Sequence, residues 1–593
     1  MSLIGSVLAP WLQSTLSLKA DPRTTGLGPS RDASADITLP AFIAAKTAGK
    51  NPAAIATEWA ALLANNPHPL IASVKSAGPY LNITLDPAAT ARLILDAVLG
   101  DIGTWAHSTE HHGETVCMDF SSPNIAKPFA IHHLRSTLIG AALGNVLETQ
   151  GYAVERINHL GDWGTQFGYV MLGWSRLKPP TLPSPQEGEG STDRLLGDKP
   201  LHTLVGIYQH ITKEAKEAAA RGDNSLEEGA RDWFLRLEKG DKEARRLWQW
   251  FRDVSVKELE LIYNRMGIHF DAFRGEAHYE SHLADTLRLV KDKGVLETSE
   301  GAEVVRLGDD MPPVLLRKGD GATLYATRDL AALLDRWNRQ AFALNLYVVA
   351  SQQNLHFQQL FALVEKLGHP SAGRNRHVSF GMLRLPDGSL GKTRDGNVIF
   401  LDEVLDAAHE KALERLAPRR EADPSLPETH WDSVAEMVGL GAVFFNDLKA
   451  RRDKDVIFKW DDILSFEGRT GAYLQYAQCR MNSILRKGSW SDGSAHDPLQ
   501  LTHPMEKSLL LMLDRYPSIL SESARELEPN TVLNYLFELV QVYSRLTQDK
   551  EGGVKVLDAD PAIRQARLAL VAATRHTLRH GLKVLCIPTP EQM

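Results

Sequence analysis

The chain has 593 residues, a net charge of −8, and 43% apolar and 24% charged residues, which are typical values for a globular protein with several domains. The acidic balance argues against indiscriminate nucleic-acid binding, although local basic patches can still contact an RNA partner. The sequence contains no apolar run of the ~20 residues that a membrane span needs, and its uncharged first segment is unlike a basic signal peptide. Cys117, Cys479 and Cys586 lie far apart in apolar contexts, which predicts buried, reduced thiols in a cytoplasmic protein.

The first 112 residues predict a small separate α+β domain. Residues 40–64 are rich in alanine with helical spacing. Residues 71–85 alternate like a strand on either side of a turn at Gly78 and Pro79. These patterns indicate a fold class but no function.

Residues 116–157 predict the order strand, loop, helix and strand. An apolar run comes first, a loop with two prolines follows, and from His132 onward apolar residues recur at helical spacing. In an open parallel sheet such a loop lies at the carboxyl ends of the strands, where helix N-termini attract anions. Asn124, Lys127 and two adjacent histidines at this place suit a phosphate-bearing ligand. The usual dinucleotide motif Gly-x-Gly-x-x-Gly is absent here, so a dinucleotide fold of that kind is not indicated.

The loop resembles the first signature of the class I aminoacyl-tRNA synthetases, and specifically of the arginyl enzymes. It reads Ser122-Pro123-Asn124-Ile125-Ala126-Lys127-Pro128-Phe129-Ala130-Ile131-His132-His133-Leu134-Arg135-Ser136-Thr137. Ala130 stands where the family has its first histidine, His132 stands where it has glycine, and His133 matches its second histidine. The resemblance implies ATP-dependent activation of L-arginine and its transfer to tRNA(Arg).

The same family implies the fold class, a multidomain α/β protein. Its catalytic domain would be a Rossmann-like parallel-sheet domain at 113–430, with a helical insertion at about 172–290. The N-terminal α+β domain at 1–112 would contact the elbow of the tRNA, because residues 77–82 resemble a segment of the family's N-terminal domain. An all-α anticodon-binding bundle would follow at 431–593.

Residues 158–168 place three glycines and a tryptophan in a strand-to-helix turn, which lets backbone approach a ligand closely. A tight turn around a buried tryptophan explains the pattern equally well in isolation. The same string recurs in the arginyl enzymes, which implies that Gly161 and Asp162 bind ATP. Residues 178–200 are rich in proline, glycine, glutamate and serine and predict a disordered surface insertion, and 204–266 predict helices.

Two later clusters follow predicted strands. Tyr325 and Asp329 are four residues apart, so on a helix they share one face and suit a guanidinium, or else form an ordinary surface pair. Their string resembles the family's Tyr-x-Thr-Arg-Asp, which implies recognition of the arginine side chain. Residues 351–356 resemble the family's Ser-Gln-Gln-x-x-His element, which implies that Gln353 contacts arginine and His356 lies near the adenosine.

Residues 377–385 predict a strand, and 390–396 a glycine-flanked basic loop with Lys392 and Arg394. Such a loop suits a triphosphate, or else is a solvated basic turn. It resembles the degenerate second signature of the arginyl enzymes, in which Lys127 is expected to substitute for a missing lysine. A P-loop is the alternative, but it needs glycine where Pro386 stands and a helix after the lysine, which the sequence does not predict.

From residue 431 onward the chain predicts only helices, at 431–452, 469–487, 504–514, 530–547 and 561–582. The segment 466–477 resembles the opening of the family's anticodon-binding domain. Tyr473 and Tyr476 are therefore expected to stack on unpaired bases, with core packing as the alternative. The closing residues resemble the family's C-terminus, which implies tRNA contact by Met593.

The resemblance implies a role for each candidate residue. Lys127, His133, Lys392 and Arg394 would stabilise the triphosphate, and His132, His133, Gly161, Asp162, His356 and Lys392 would bind ATP, accompanied by Mg²⁺. Asp119, Ser121, Asn124, Tyr325, Asp329 and Gln353 would bind arginine. The family further implies a monomer. The sequence itself predicts no protein-only metal site and no membrane partner. The alternative is a tRNA-binding relative without catalysis, because the first signature here reads Ala-Ile-His-His.

Overall fold

The computed structural model describes residues 2–593 except 31, 33, 126, 178–195, 198, 320–324, 386, 389–397, 464–467 and 549–553. The predictions for Lys392 and Arg394, and nearly all of those for 178–200, therefore lie outside the described residues. The chain divides into two compact units. One contains Met1–Glu110, Leu416–Gly441 and Ser465–Met593, and the other contains His111–Arg415 and Ala442–Leu464. Within the described ranges, no helix has the length and apolar character to cross a membrane.

The N-terminal part of the first unit is an α+β structure. Its elements are α1 (Leu3–Thr15), β1 (Gly28–Pro29), β2 (Ile37–Pro40), α2 (Phe42–Ala48), α3 (Pro52–Ala64), β3 (Ile71–Ala77), β4 (Tyr80–Leu85) and α4 (Pro87–Gly100). The strands form an antiparallel sheet in the order β1-β2-β4-β3. The predicted helix at 40–64 is two helices, because Gly49 ends the first with a left-handed backbone (φ 63°) and Asn51 caps the second.

The second unit is built on a five-stranded parallel sheet. Its elements up to this sheet's last strand are β5 (Thr115–Asp119), α5 (His133–Thr149), β6 (Ala153–Asn158), α6 (Thr165–Arg176), α7 (Pro200–Ala219), α8 (Ser225–Glu238), α9 (Lys242–Arg265), β7 (Ala272–Phe273), α10 (Leu283–Asp292), β8 (Glu297–Ser299), β9 (Ala302–Val305), β10 (Val314–Arg317), α11 (Tyr325–Gln340), β11 (Leu344–Tyr347), α12 (Asn354–Lys366) and β12 (Asn375–His377). The sheet has the order β12-β11-β5-β6-β7, and β8, β9 and β10 form a separate antiparallel sheet.

Strand β5 lies at the centre of the parallel sheet, and the residues Val116, Cys117 and Met118 within it are fully buried. Helix α5 follows it and passes close over Phe120. A Cβ atom on Gly140 would lie 2.3 Å from the ring of Phe120, so this approach requires glycine. The loop between β5 and α5 is therefore held at the carboxyl edge of the sheet, where a ligand is expected.

The remaining elements complete both units. They are β13 (Leu383–Arg384), α13 (Leu401–Ala422), α14 (Glu428–Leu448), β14 (Val456–Ile457), α15 (Trp460–Ile463), α16 (Gly471–Lys487), α17 (Pro504–Glu526), α18 (Asn530–Gln548) and α19 (Pro561–Val584). Helices α16–α19 belong to the first unit. The predicted combination of a parallel α/β sheet, an N-terminal α+β region and a C-terminal helical region is confirmed.

Several predicted elements need correction. The predicted strand at 377–385 is two short strands, β12 and β13, which belong to different sheets. The region after residue 431 is not wholly helical, because β14 pairs in parallel with β13. The interval 172–290, predicted as a helical insertion, also contains β7, a strand of the main sheet. Helix α17 extends twelve residues past its predicted end at 514, through Pro517, to Glu526. The three cysteines are free, and Cys117 and Cys479 are buried as predicted, whereas Cys586 is only partly buried.

Candidate active site

A cavity of about 210 Å³ lies at the carboxyl ends of β5 and β11, beside the start of α5. It is lined by Ser121, Ser122, His132, His133, Ser136, Val348, Val349, Ala350, Gln352, Phe380, Met382 and Leu383. Three of the predicted ligand residues, Ser121, His132 and His133, thus meet in one cavity. Its position at the strand ends is where an open parallel sheet binds ligands.

The two histidines of this cavity differ in their contacts. Their ring centroids are 4.1 Å apart. Nδ1 of His133 accepts a hydrogen bond from the backbone N–H of Ala130 at 3.0 Å. Burial and the neighbouring His132 lower the pKa of His133 to about 3, so its ring is neutral. His132 lines the cavity, is exposed and has no hydrogen-bond partner in the described part of the chain, so its ring nitrogens are available to a ligand.

The backbone around Ala130 is fixed by a pairing with the segment that follows the predicted basic loop. Ala130 forms an antiparallel bridge with Phe400, and the N–H of Ile131 donates to the carbonyl of Ile399 at 3.1 Å. Ala130 is fully buried. A side chain at this position therefore points into packed protein, and the imidazole next to the cavity comes from His132 instead.

Ser121 belongs to a buried hydroxyl network that sequence reasoning did not anticipate. Its Oγ lies 2.7 Å from the hydroxyl of Tyr263 and accepts a hydrogen bond from Oγ1 of Thr137 at 2.7 Å. The amide of Asn158 also donates to Tyr263, at 3.0 Å. Tyr263 lies 142 positions from Ser121 on a helix of the predicted insertion, so no local pattern could have linked them.

Asn124 and Gly161 bring the two glycine- and proline-containing loops together. They form a parallel bridge, and a Cβ atom on Gly161 would lie 2.1 Å from Oδ1 of Asn124. The contact thus requires glycine at 161. The two loops thus meet at the edge of the sheet, a contact that the sequence did not predict, and the group that Gly161 approaches within the protein is the side chain of Asn124.

Two carboxylates predicted as ligand contacts are engaged inside the protein. Asp119 is buried, accepts from Nη2 of Arg336 at 2.7 Å, and accepts from the hydroxyl of Ser122 at 2.7 Å. Asp162 is buried, and it accepts from Nε of Arg252 at 3.0 Å and from a backbone N–H at 2.8 Å. Both side chains hold neighbouring segments in place, since a buried carboxylate must find partners.

Asp329 lies between two imidazoles. Nε2 of His356 is 2.6 Å from one carboxylate oxygen, and Nε2 of His159 is 4.0 Å from the other. Burial favours the neutral acid, but the hydrogen bond from His356 and the field of His159 hold the pKa of Asp329 below its usual value. In turn, although burial opposes it, Asp329 raises the pKa of His356. The structure thus brings together two predicted residues to which the sequence assigned different ligands.

Glu276 is an acidic residue near Asp329 that sequence reasoning missed. Burial, together with the carboxylates of Asp329 and Asp162 and against the field of Arg328, raises the pKa of Glu276 to about 8. The signal that could have found it is its place after β7, whose carboxyl end lies at the same edge of the sheet. Because β7 has only two residues, the sequence did not predict that strand.

The other predicted contacts of this unit lie at the surface. Tyr325 is 69% exposed, and Lys127 and Gln353 are exposed as well. None of the three has a side-chain hydrogen bond among the described residues, so their side chains are available to a ligand. Lys127 is close enough for its charge to contribute to the lowered pKa of His133, after burial and His132.

The predicted tRNA contacts belong to the other unit. Tyr476 is 41% exposed, and the guanidinium of Arg419 lies 4.8 Å from its ring centre. Arg419 also donates to the carbonyl oxygen of Met593 at 3.4 Å, so two predicted contacts meet at one arginine. Tyr473 is half-buried, and its ring lies 5.5 Å from that of Phe537.

Family models match most of the chain. The model for the catalytic domain of class I tRNA synthetases (R) matches residues 95–460. The DALR anticodon binding domain matches residues 474–593, and the arginyl tRNA synthetase N terminal domain matches residues 12–85.

Curated proteins and solved structures give the same result. An arginine–tRNA ligase of Exiguobacterium sp. is 39% identical over 95% of both chains, and arginine–tRNA ligase 1 of Bacillus thuringiensis is 38% identical over 95% of both. The structure of Thermus thermophilus arginyl-tRNA synthetase has a TM-score of 0.80 at 23% identity, covering 99% of this chain and 100% of that one. The Plasmodium falciparum arginyl-tRNA synthetase structure has a TM-score of 0.77 at 22% identity, with 100% of both chains covered. The structural matches show a shared fold.

Proposed function

The chain belongs to the class I arginyl-tRNA synthetase family and is an arginine–tRNA ligase, and from this premise we propose how its residues divide the reaction. The enzyme uses ATP to activate L-arginine as arginyl-adenylate, releasing pyrophosphate, and transfers the arginyl group to the 3′ end of its tRNA. In the first step a carboxylate oxygen of arginine attacks the α-phosphorus and the bond to pyrophosphate breaks. This chemistry depends on positioning and charge stabilisation, without a protein nucleophile.

We assign the guanidinium of arginine to Asp329 and Glu276. One observation supports this assignment: the carboxylate of Asp329 is ionised and lies between the imidazoles of His356 and His159 at the edge of the sheet. A guanidinium presents five donors in a fixed plane, so it can satisfy two carboxylates at once. Its charge would also lower the raised pKa of Glu276 and draw that group into its ionised form. Tyr325, four residues before Asp329, and Gln353, three residues before His356, are exposed and would contact the same side chain.

The amino group of arginine is assigned to the loop after β5. Ser121 and Asn124 would contact it directly. Asp119 would act through Ser122, whose hydroxyl it holds, because both of its oxygens already have partners. This division agrees with the burial of Asp119 and with the place of Ser121 on the cavity wall.

The nucleotide is assigned to the cavity of about 210 Å³. His132 and His133 would contact the phosphates and adenosine, and Gly161 and Asp162 would shape the neighbouring edge. His356 would lie between adenosine and arginine, since it already contacts Asp329. Lys127, Lys392 and Arg394 would neutralise the triphosphate together with Mg²⁺, which accompanies ATP as part of the substrate.

The tRNA is assigned to both ends of the chain. Tyr476, Tyr473 and Met593 would contact the anticodon, with Arg419 supplying positive charge beside the exposed Tyr476 ring. The N-terminal domain at 1–112 would contact the elbow. We retain the limits 113–430 and 431–593 for the other two domains, and we propose a cytoplasmic monomer.

The test is arginine-dependent exchange of pyrophosphate into ATP, measured with and without cognate tRNA. We expect exchange by the wild-type protein, and a loss of exchange with unchanged tRNA affinity in His133→Ala. The comparisons give no support to a catalytically impaired relative. Absence of exchange under both conditions, with tRNA still bound, would nevertheless establish that alternative and overturn the residue assignments.

A further inference from the structure

One wall of the nucleotide cavity has little regular structure of its own. Phe380, Met382 and Leu383 line the cavity, yet β13 begins only at Leu383 and has two residues. Residues 452–458, which we call the strap, run beside this wall. Two backbone hydrogen bonds join the strap to the wall. The N–H of Val456 donates to the carbonyl of Met382 at 2.9 Å, and the N–H of Phe458 donates to the carbonyl of Arg384 at 2.8 Å.

The strap packs directly on the backbone of the wall. The N–H of Gly381 donates to the carbonyl of Arg452 at 2.8 Å. A Cβ atom at Gly381 would lie 2.5 Å from the carbonyl of Lys454, so no side chain fits between the two segments. The position of the wall thus follows the position of the strap.

The carboxylate of Asp455 joins the strap to the wall through both of its oxygens. Oδ1 accepts from the backbone N–H of Met382 at 2.7 Å, and Oδ2 accepts from Nε of Arg384 at 2.6 Å. The hydrogen bonds from Arg384 and Met382 hold the pKa of Asp455 below its usual value, so the group is ionised at neutral pH.

The strap is also tied to the helix that carries the cavity histidines. Nη1 of Arg135 donates to the carbonyl of Lys454 at 2.8 Å. Arg135 is buried on α5 and forms an ion pair of 3.3 Å with Asp447, which is buried too. Helix α5 begins at His133, so the strap contacts both the helix that carries this cavity histidine and the wall that contains Met382.

We propose that Asp455 is a positioning residue for ATP, which acts by holding residues 382–384 against the cavity. The proposal rests on the assignment of the nucleotide to this cavity. Asp455 contacts Met382 and Arg384, which are not residues of the arginine subsite. Its loss should therefore weaken the binding of ATP without weakening the binding of arginine. A residue that only stabilised the fold would not produce this separation.

The experiment compares wild type, Asp455→Ala, Asp455→Asn and Asp453→Ala by pyrophosphate exchange, varying ATP and arginine in turn. For Asp455→Ala we expect KM for ATP to rise about five- to tenfold, because two charge-assisted hydrogen bonds at a partly exposed site are lost. KM for arginine should stay within about twofold. Asp455→Asn should fall in between, since its amide oxygen still accepts from Met382 but its charge toward Arg384 is gone.

Asp453→Ala is the matched control, because this exposed strap carboxylate pairs with Arg451 at 3.5 Å and has no side-chain hydrogen bond or ion pair with the described residues of the wall. It should behave as wild type. An unchanged KM for ATP in Asp455→Ala, or an equal rise of both KM values, would overturn the proposal. If Asp455→Ala fails to fold, the same comparison of KM values in Asp455→Asn decides. If the wild-type protein shows no exchange, the proposed function fails. The affinity of the four proteins for ATP, measured by calorimetry, then decides whether Asp455 positions ATP.

Discussion

The arginine side and the nucleotide side of the site are held in different ways. On the arginine side, charged side chains hold one another, as in the contacts of Asp329 with His356 and His159. On the nucleotide side, backbone pairing holds the loop, and His132 faces the cavity without a partner in the described part of the chain. A substitution on the arginine side should therefore leave a charged partner uncompensated, whereas a substitution on the nucleotide side should remove only one contact with the ligand.

The largest effect should come from Asp119, which tests whether the arginine side extends to this residue. Asp119→Ala leaves Arg336 buried and unpaired, so we expect a loss of about 3–5 kcal/mol in the free energy of unfolding. Urea denaturation measures it. The control Asp285→Ala removes an exposed pair with Arg288 and should cost at most about 1 kcal/mol. Unchanged stability with a raised KM for arginine would instead make Asp119 a direct ligand.

The next effect sharpens the division between the two sides. Asp329→Asn removes the charge that we assign to the guanidinium, so kcat/KM for arginine should fall roughly 30- to 700-fold, equivalent to about 2–4 kcal/mol. KM for ATP should rise much less, because the cavity wall does not include Asp329, which reaches the nucleotide only through His356. Pyrophosphate exchange with each substrate varied in turn measures both. A comparable loss toward ATP would show that the two sides act as one.

Local patterns predicted the frame of this site well. The apolar run at 116–120, the prolines after it and the helical spacing from His132 fixed the strand, loop and helix that carry the cavity. The resemblance to family motifs added candidate ligand residues outside this segment, such as Asp329 and His356. The pairing of Asp329 with His356 could have been suspected from both lying early in helices that follow sheet strands, but their distance required the structure.

Long-range pairings could not be predicted. Asp119 and Arg336 are 217 positions apart, and nothing in either neighbourhood indicates that a buried ion pair joins them. Glu276 follows a strand of two residues, which is too short for any alternation to show. The strap is a third case. Its strand β14 has only two residues and lies between segments with helical spacing, so the sequence did not predict its pairing with β13.

A smaller effect tests the nucleotide side. His132→Gly should lower kcat/KM for ATP about ten- to hundredfold, as expected for loss of one hydrogen bond to a charged group. The double variant Ala130→His/His132→Gly carries the family's arrangement, yet we expect no recovery. Ala130 is fully buried beside Phe400, and a larger side chain there costs about 1–3 kcal/mol. Wild-type exchange kinetics in the double variant would show that the loop rearranges to present residue 130.

The smallest effect is a pH dependence of arginine binding. Asp329 raises the pKa of His356 above its usual value, so the imidazole is protonated at pH 6 and occupies the carboxylate that arginine needs. As pH rises through that pKa, His356 becomes neutral, and the pKa of Glu276 at about 8 adds a second negative charge above it. Both changes favour the guanidinium, so KM for arginine should fall by up to about tenfold between pH 6 and pH 8, as for release of one proton. His356→Asn should flatten the lower part of this profile and Glu276→Gln the upper part. A KM for arginine that rises with pH would mean that the protonated imidazole assists binding, and the arginine side would then need a different charge assignment.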